Sequence, residues 1–147
     1  MLPGIPIGCR TDTAYIYIWF SKKIQIAYVG QTHAKYGVVS RAFQHFQQEG
    51  TLRYKLYELG YVVEEVDDLY LLSFPLPREP EFLTLESSYR MAVEYLVQVG
   101  LYRMQGNLSP RLKIISSVNY TSPANLAYII KLAEQILEQF VNTYHML

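Results

Sequence analysis

Residues 13–20, TAYIYIWF, are β-branched or aromatic except for Ala14. That run predicts a strand. A short polar Ser21-Lys22-Lys23 follows, then a second strand from Ile24 to Val29, ended by Gly30. The pair reads as a hairpin. A two-residue Lys22-Lys23 turn would set Tyr17 opposite Tyr28, although Lys-Lys is not the preferred composition for such a turn. Tyr15 would then share their face, because strand side chains alternate with period two.

A polar connection over 31–37 leads to a helix expected over Val38–Gln48, with Arg41 and His45 four apart on one face. Gly50 breaks it. Thr51 can cap a second helix, LRYKLYEL, closed by Gly60. YVVEEV at 61–66 and LYLLSF at 69–74 read as one bulged strand or two short ones, interrupted by Asp67-Asp68. PLPREP is a loop stiffened by three prolines. A long helix is predicted over Leu83–Val99, ended at Gly100, and KIISSV at 113–118 is strand-like. Ser122-Pro123 reads as an N-cap followed by Pro at N1. The last helix runs to about Thr143. In it Leu126, Ile129, Ile130, Ala133, Ile136, Leu137 and Phe140 form a stripe at helical spacing. That stripe predicts a core face or, in the alternative, a homodimer contact through the C-terminal helix.

These elements predict an α+β domain: a small antiparallel three-stranded sheet flanked by helices, with an added C-terminal helix. Residues 1–12, punctuated by Pro3, Gly4, Pro6 and Gly8, read as an irregular arm. Residues 13–107 would be the main domain. Residues 108–147 would be an extension whose amphipathic helix packs on it.

Composition refines this only in part. The chain has 147 residues, half of them hydrophobic, which suits one domain with a real core. Cys9 is the one cysteine, so no intramolecular disulfide can form. No apolar run reaches the roughly 18 residues of a membrane span. The start, MLPGIPIGCR, does not read as a signal peptide. A soluble cytoplasmic protein is the expectation. Net charge is zero, which offers no overall attraction to phosphate. The charge is uneven, however. Residues 21–57 carry six Lys and Arg against Glu49, and residues 58–94 carry nine acids against Arg78 and Arg90. Such asymmetry permits one basic face or, equally, two ordinary solvated faces.

Three features occur in order along the chain. YVGQT spans Tyr28 to Thr32. Arg41-Ala-Phe-Gln-His45-Phe46 follows. Glu86 stands in LESSYR at the expected start of the long helix. With a tyrosine on the first strand, this order resembles the GIY-YIG nuclease family. The resemblance covers about residues 13–107. The family's GIY glycine is missing, since TAY or YIY stands in its place. Tyr17 has the more usual separation from Tyr28, and Tyr15 has the small residues Thr13 and Ala14 before it. Both remain open, with Tyr17 favoured.

The resemblance implies a metal-dependent endonuclease that hydrolyses DNA phosphodiesters. Tyr17 or Tyr28 would activate or position water. Arg41 and His45 would bind the scissile phosphate, and Glu86 would hold one Mg²⁺ or Mn²⁺. Asn107, or its rival Asn119, would support the geometry. The residue chemistry is compatible with these roles. Arg offers a rigid fork of donors, and neutral His can accept a proton. A carboxylate suits Mg²⁺, which keeps waters and binds substrate phosphates. Two other readings stand beside it: a non-catalytic nucleic-acid-binding module on the same fold, and a protein-interaction or inhibitory protein.

Overall fold

The computed structural model describes residues 13–32 and 50–147. Strands β1 (Tyr15–Ser21) and β2 (Ile26–Thr32) form the expected antiparallel hairpin. Their register differs from a two-residue turn: Tyr17 faces Gly30, and Trp19 faces Tyr28. The turn takes the four residues 22–25, with Gln25 at φ +58°. Lys-Lys has no easy access to the positive φ values that a two-residue turn requires. The longer turn is instead held from outside. Asp68 accepts hydrogen bonds from the Ser21 hydroxyl and, at 3.0 Å, from the Lys23 backbone N–H. The Lys23 ammonium meets Asp67 at 2.8 Å. The slip is two residues, an even number, so Tyr15, Tyr17 and Tyr28 still share one face.

Helix α1 (Thr51–Glu58) closes as expected. Gly60, at φ +89°, donates to the Tyr57 carbonyl, and Tyr61 donates to that of Leu56. These are the two bonds of a Schellman turn. Thr51 is the first helical residue rather than the cap, which is Gly50. The expected strand over 61–66 is not formed. Val63–Glu65 is a 3₁₀ turn that buries Val63 alone, and Arg53 of α1 holds Glu64 at 2.9 Å. Strand β3 is Tyr70–Pro75.

The three-stranded antiparallel sheet expected from the sequence is corrected to a four-stranded mixed sheet of order β3-β1-β2-β4. Only Lys113–Ile114 (β4) of the strand-like KIISSV joins it, and it runs parallel to β2. Lys113 donates to the Gln25 carbonyl and Ile115 to that of Ala27, both at 2.9 Å. A parallel neighbour needs a long crossover. Here β3 and the helices before β4 supply it.

A single turn, α2 (Pro80–Leu83), precedes the long α3 (Ser88–Arg103). The long helix therefore begins five residues later than expected. The buried Arg90 guanidinium takes the carbonyls of Phe82 at 3.0 Å and Thr84 at 2.6 Å. Those carbonyls are bound from the side and do not continue a helix. The helix also runs through Gly100 rather than ending there. A β-carbon at Gly100 would overlap Leu137 of the last helix, α4 (Ala127–Met146). This glycine marks the close approach of two helices.

One sheet face packs Ile16, Ile18, Phe20 and Val29 against α3 and α4. On α4, Ile129, Ala133, Ile136, Leu137, Phe140 and Tyr144 are buried, whereas Leu126 and Ile130 are exposed. Pro123 sits in a separate 3₁₀ turn, Ser122–Asn125, rather than at the first position of α4. The other sheet face gathers Tyr15, Tyr17, Trp19 and Tyr28 with Leu52 and Leu56 of α1. Among the described residues, no helix is long and apolar enough to cross a membrane.

Candidate functional site

Tyr17 reaches its position because of the residue opposite. A β-carbon at Gly30 would overlap the Tyr17 ring at Cζ and its hydroxyl. The glycine thus lets the phenol lie across the neighbouring backbone. Tyr28, two residues before Gly30, points to the same side. The β2 backbone is fixed at this point by the Ser116 hydroxyl, which accepts from the Val29 N–H at 3.0 Å. The parallel pairing of β4 therefore carries residues 116–119 up to the two tyrosines.

The fourth wall is α3. Arg90 donates from Nε to Gln31 Oε1 at 2.8 Å, tying the end of β2 to the first turn of the helix. Burial pulls the Arg90 pKa down from the ordinary guanidinium value, and the group remains a cation. Next to it Met91, and one turn on Glu94, line the same cleft as the tyrosines. Together Tyr17, Tyr28, Gln31, Glu94, Ser116 and Asn119 line an open cleft of about 240 Å³.

Glu94 is held from behind. Gln98, one helical turn further and buried, donates from Nε2 to Glu94 Oε1 at 3.1 Å. The Gln98 amide oxygen is buried with no hydrogen-bond partner among the described residues. An unmet buried carbonyl of this kind costs roughly 1–3 kcal/mol.

The structure brings together only part of the residues singled out in the sequence. Tyr17 and Tyr28 line the cleft, and Tyr15 does not, although all three are buried on the same face. Asn119 lines it. Asn107 lies exposed in a 3₁₀ turn, where its backbone carbonyl meets the His145 ring at 3.2 Å. Glu86 is exposed ahead of α3 and is not part of the cleft wall. Its carboxylate accepts from the Ser88 hydroxyl at 2.7 Å and the Ser88 N–H at 2.8 Å. Those bonds hold its carboxyl below the ordinary carboxylate range. Arg41 and His45 lie outside the described residues.

The acid that does line the cleft, Glu94, carried a signal of its own. It stands alone in Ala92-Val93-Glu94-Tyr95-Leu96-Val97, where a helix that packs on a sheet has little use for a charge. Gln31 and Ser116 carried none, because their places follow from β-pairing.

Among the described residues, the cleft offers carboxylate, amide and hydroxyl oxygens, with Glu94 as the charged member. Among the described residues no three His, Cys, Asp or Glu side chains gather as a metal cluster. One carboxylate with neutral oxygens fits Mg²⁺ of the kind that keeps waters and shares substrate phosphate oxygens. Comparison with protein-family models, curated proteins and solved structures yields no match to this chain.

Proposed function

We propose that the protein is a metal-dependent endonuclease that hydrolyses DNA phosphodiesters, with its active site in the Tyr17–Tyr28 cleft. One observation carries this reading: two tyrosines from adjacent strands, one helix-borne carboxylate and one asparagine line a single cleft. The family resemblance of YVGQT and of Arg41 with His45 adds independent support. The carboxylate assigned here is Glu94, which lines the cleft, rather than Glu86, which does not. The asparagine is Asn119.

In this reading Glu94 would hold one Mg²⁺ or Mn²⁺, with Gln31, Ser116 and Asn119 as the neutral oxygen donors nearby. When bound, the ion supplies Lewis-acid neutralisation of charge building on the phosphate and the leaving oxygen. The residues of the chain do the rest. Tyr17 and Tyr28 present hydroxyls that donate to a phosphate oxygen or orient the attacking water. Water adds to phosphorus and gives up a proton to His45, the P–O bond on the opposite side breaks, and the leaving oxygen takes a proton from solvent water. Arg41 and His45 are the cationic and proton-transferring groups of this proposal.

The test is cleavage of single-stranded, duplex and branched DNA with Mg²⁺ or Mn²⁺, using wild type, Glu94→Gln and Glu86→Gln. Wild type and Glu86→Gln are expected to cut, and Glu94→Gln to lose cutting. Wild type that cuts none of these substrates beside an active control nuclease overturns the proposal.

A further inference from the structure

The Gln98 amide has an imbalance that folding alone does not explain. Its Nε2 donates to Glu94 Oε1 at 3.1 Å, while its Oε1 is buried with no partner among the described residues. The side chain is 1% exposed, and the helix positions around it, Val93, Val97 and Leu101, are all fully buried and apolar. Methionine has nearly the same length and flexibility and would fill this space without stranding a carbonyl.

The direction of the side chain supplies the reason for an amide. Long side chains on a helix lean toward its N-terminus. A residue four places beyond Glu94 therefore brings its end back under the Glu94 carboxylate. An amide at that point offers an N–H that is always a donor and cannot be lost by titration. Its bond to a carboxylate is charge-assisted, and the acid it reaches lines the cleft with Tyr17, Tyr28 and Asn119.

We infer that Gln98 is a positioning residue: it orients the Glu94 carboxylate in the cleft, and its stranded oxygen is the cost of that role. The inference rests on the nuclease reading for its consequence, because the oriented carboxylate is the one that would hold the metal. Groups that orient a metal ligand from behind commonly change metal affinity or activity by about 10- to 100-fold when removed.

The experiment compares wild type with Gln98→Met and Gln98→Leu in three measurements. The first is side-chain NMR of Glu94, selectively labelled at Cγ. The wild type is expected to show one rotamer, and both variants to show rotamer averaging. The second is Mn²⁺ binding by electron paramagnetic resonance, with protein bound to a phosphorothioate DNA that resists cleavage. Both variants are expected to bind about tenfold more weakly. The third is cleavage, where the Mg²⁺ concentration for half-maximal rate is expected to rise by the same factor, while the melting temperature stays equal or rises. If Glu94 shows one rotamer in every protein, the positioning role is overturned. A large fall in melting temperature in both variants overturns it too, by making the amide a structural element. If no protein cuts DNA or binds Mn²⁺, the nuclease reading fails, and the NMR comparison still decides whether Gln98 positions Glu94.

Discussion

Tyr17 and Gly30 face each other across β1 and β2, and the tyrosine ring lies where any β-carbon at residue 30 would stand. This contact seats the buried Tyr17 ring over the β2 backbone at the cleft wall, where Tyr15 does not reach. Gly30→Ala is expected to force the ring aside. Overpacking of this type costs about 1–3 kcal/mol. Urea unfolding and DNA cleavage measured together would show both losses. Full stability and full cleavage in Gly30→Ala would mean the ring has another way to fit.

Asn119 lines the cleft, and Asn107 does not. Alanine at 119 is expected to lower cleavage by roughly ten- to a hundredfold, the loss typical of a group that orients a site from its edge. Alanine at 107 is expected to leave the rate unchanged. The opposite ranking would move the site away from the β4 side of the sheet.

Arg90 joins four acceptors: Gln31 Oε1 and the carbonyls of Phe82, Thr84 and Glu86. Arg90→Lys keeps the charge but loses the planar fork. The buried Phe82 carbonyl would then go unmet, at about 1–3 kcal/mol before relaxation, and the part-buried Thr84 carbonyl would lose this donor. A destabilisation of about 2–4 kcal/mol is expected from that loss, with a drop in cleavage through Gln31. A lysine variant as stable as wild type would show that these carbonyls reach water instead.

The buried Tyr144 phenol donates to the Pro110 carbonyl at 2.6 Å. Burial first, and the Asp68 carboxylate second, push its pKa up from 10.0 to about 12. The folded protein therefore keeps a proton that the unfolded chain releases near pH 10. Its stabilising effect is complete below that pH and is lost as pH rises from 10 toward about 12. Urea midpoints are expected to fall across this window and to fall less steeply in Tyr144→Phe. Equal slopes would assign the alkaline loss to other groups.

Gly100 lets α3 meet α4 at Leu137. Gly100→Val is expected to cost about 1–3 kcal/mol through overpacking. Leu137→Ala opens space at the same point, so the double variant is expected to be more stable than the sum of the two losses. Strict additivity would mean the helices separate rather than clash.

The sequence alone determined much of the local structure. The aromatic, β-branched run before Lys22 and the run ending at Gly30 gave the hairpin, because strand preference is written into adjacent residues. Alternation then set Tyr15, Tyr17 and Tyr28 on one face even though the turn was two residues longer than expected. Gly60 ended α1, and the stripe on the last helix largely named its buried face. Tertiary structure decided the rest. Residues 61–66 have strand composition but follow a Schellman turn and answer to Arg53, so they form a 3₁₀ turn. Gly100 looked like a helix end and is a helix crossing, because only Leu137, 37 positions further along, reveals its purpose. The same holds for the site. Glu86 had the sequence position of a ligand, and it stands outside the wall of this cleft, bonded to Ser88 two residues away. Glu94 and Asn119 reach the tyrosines only because β4 adds in parallel beside β2 and α3 packs against β2 and β4. Contacts between residues far apart in the chain leave no local pattern, and most of this cleft is made of them.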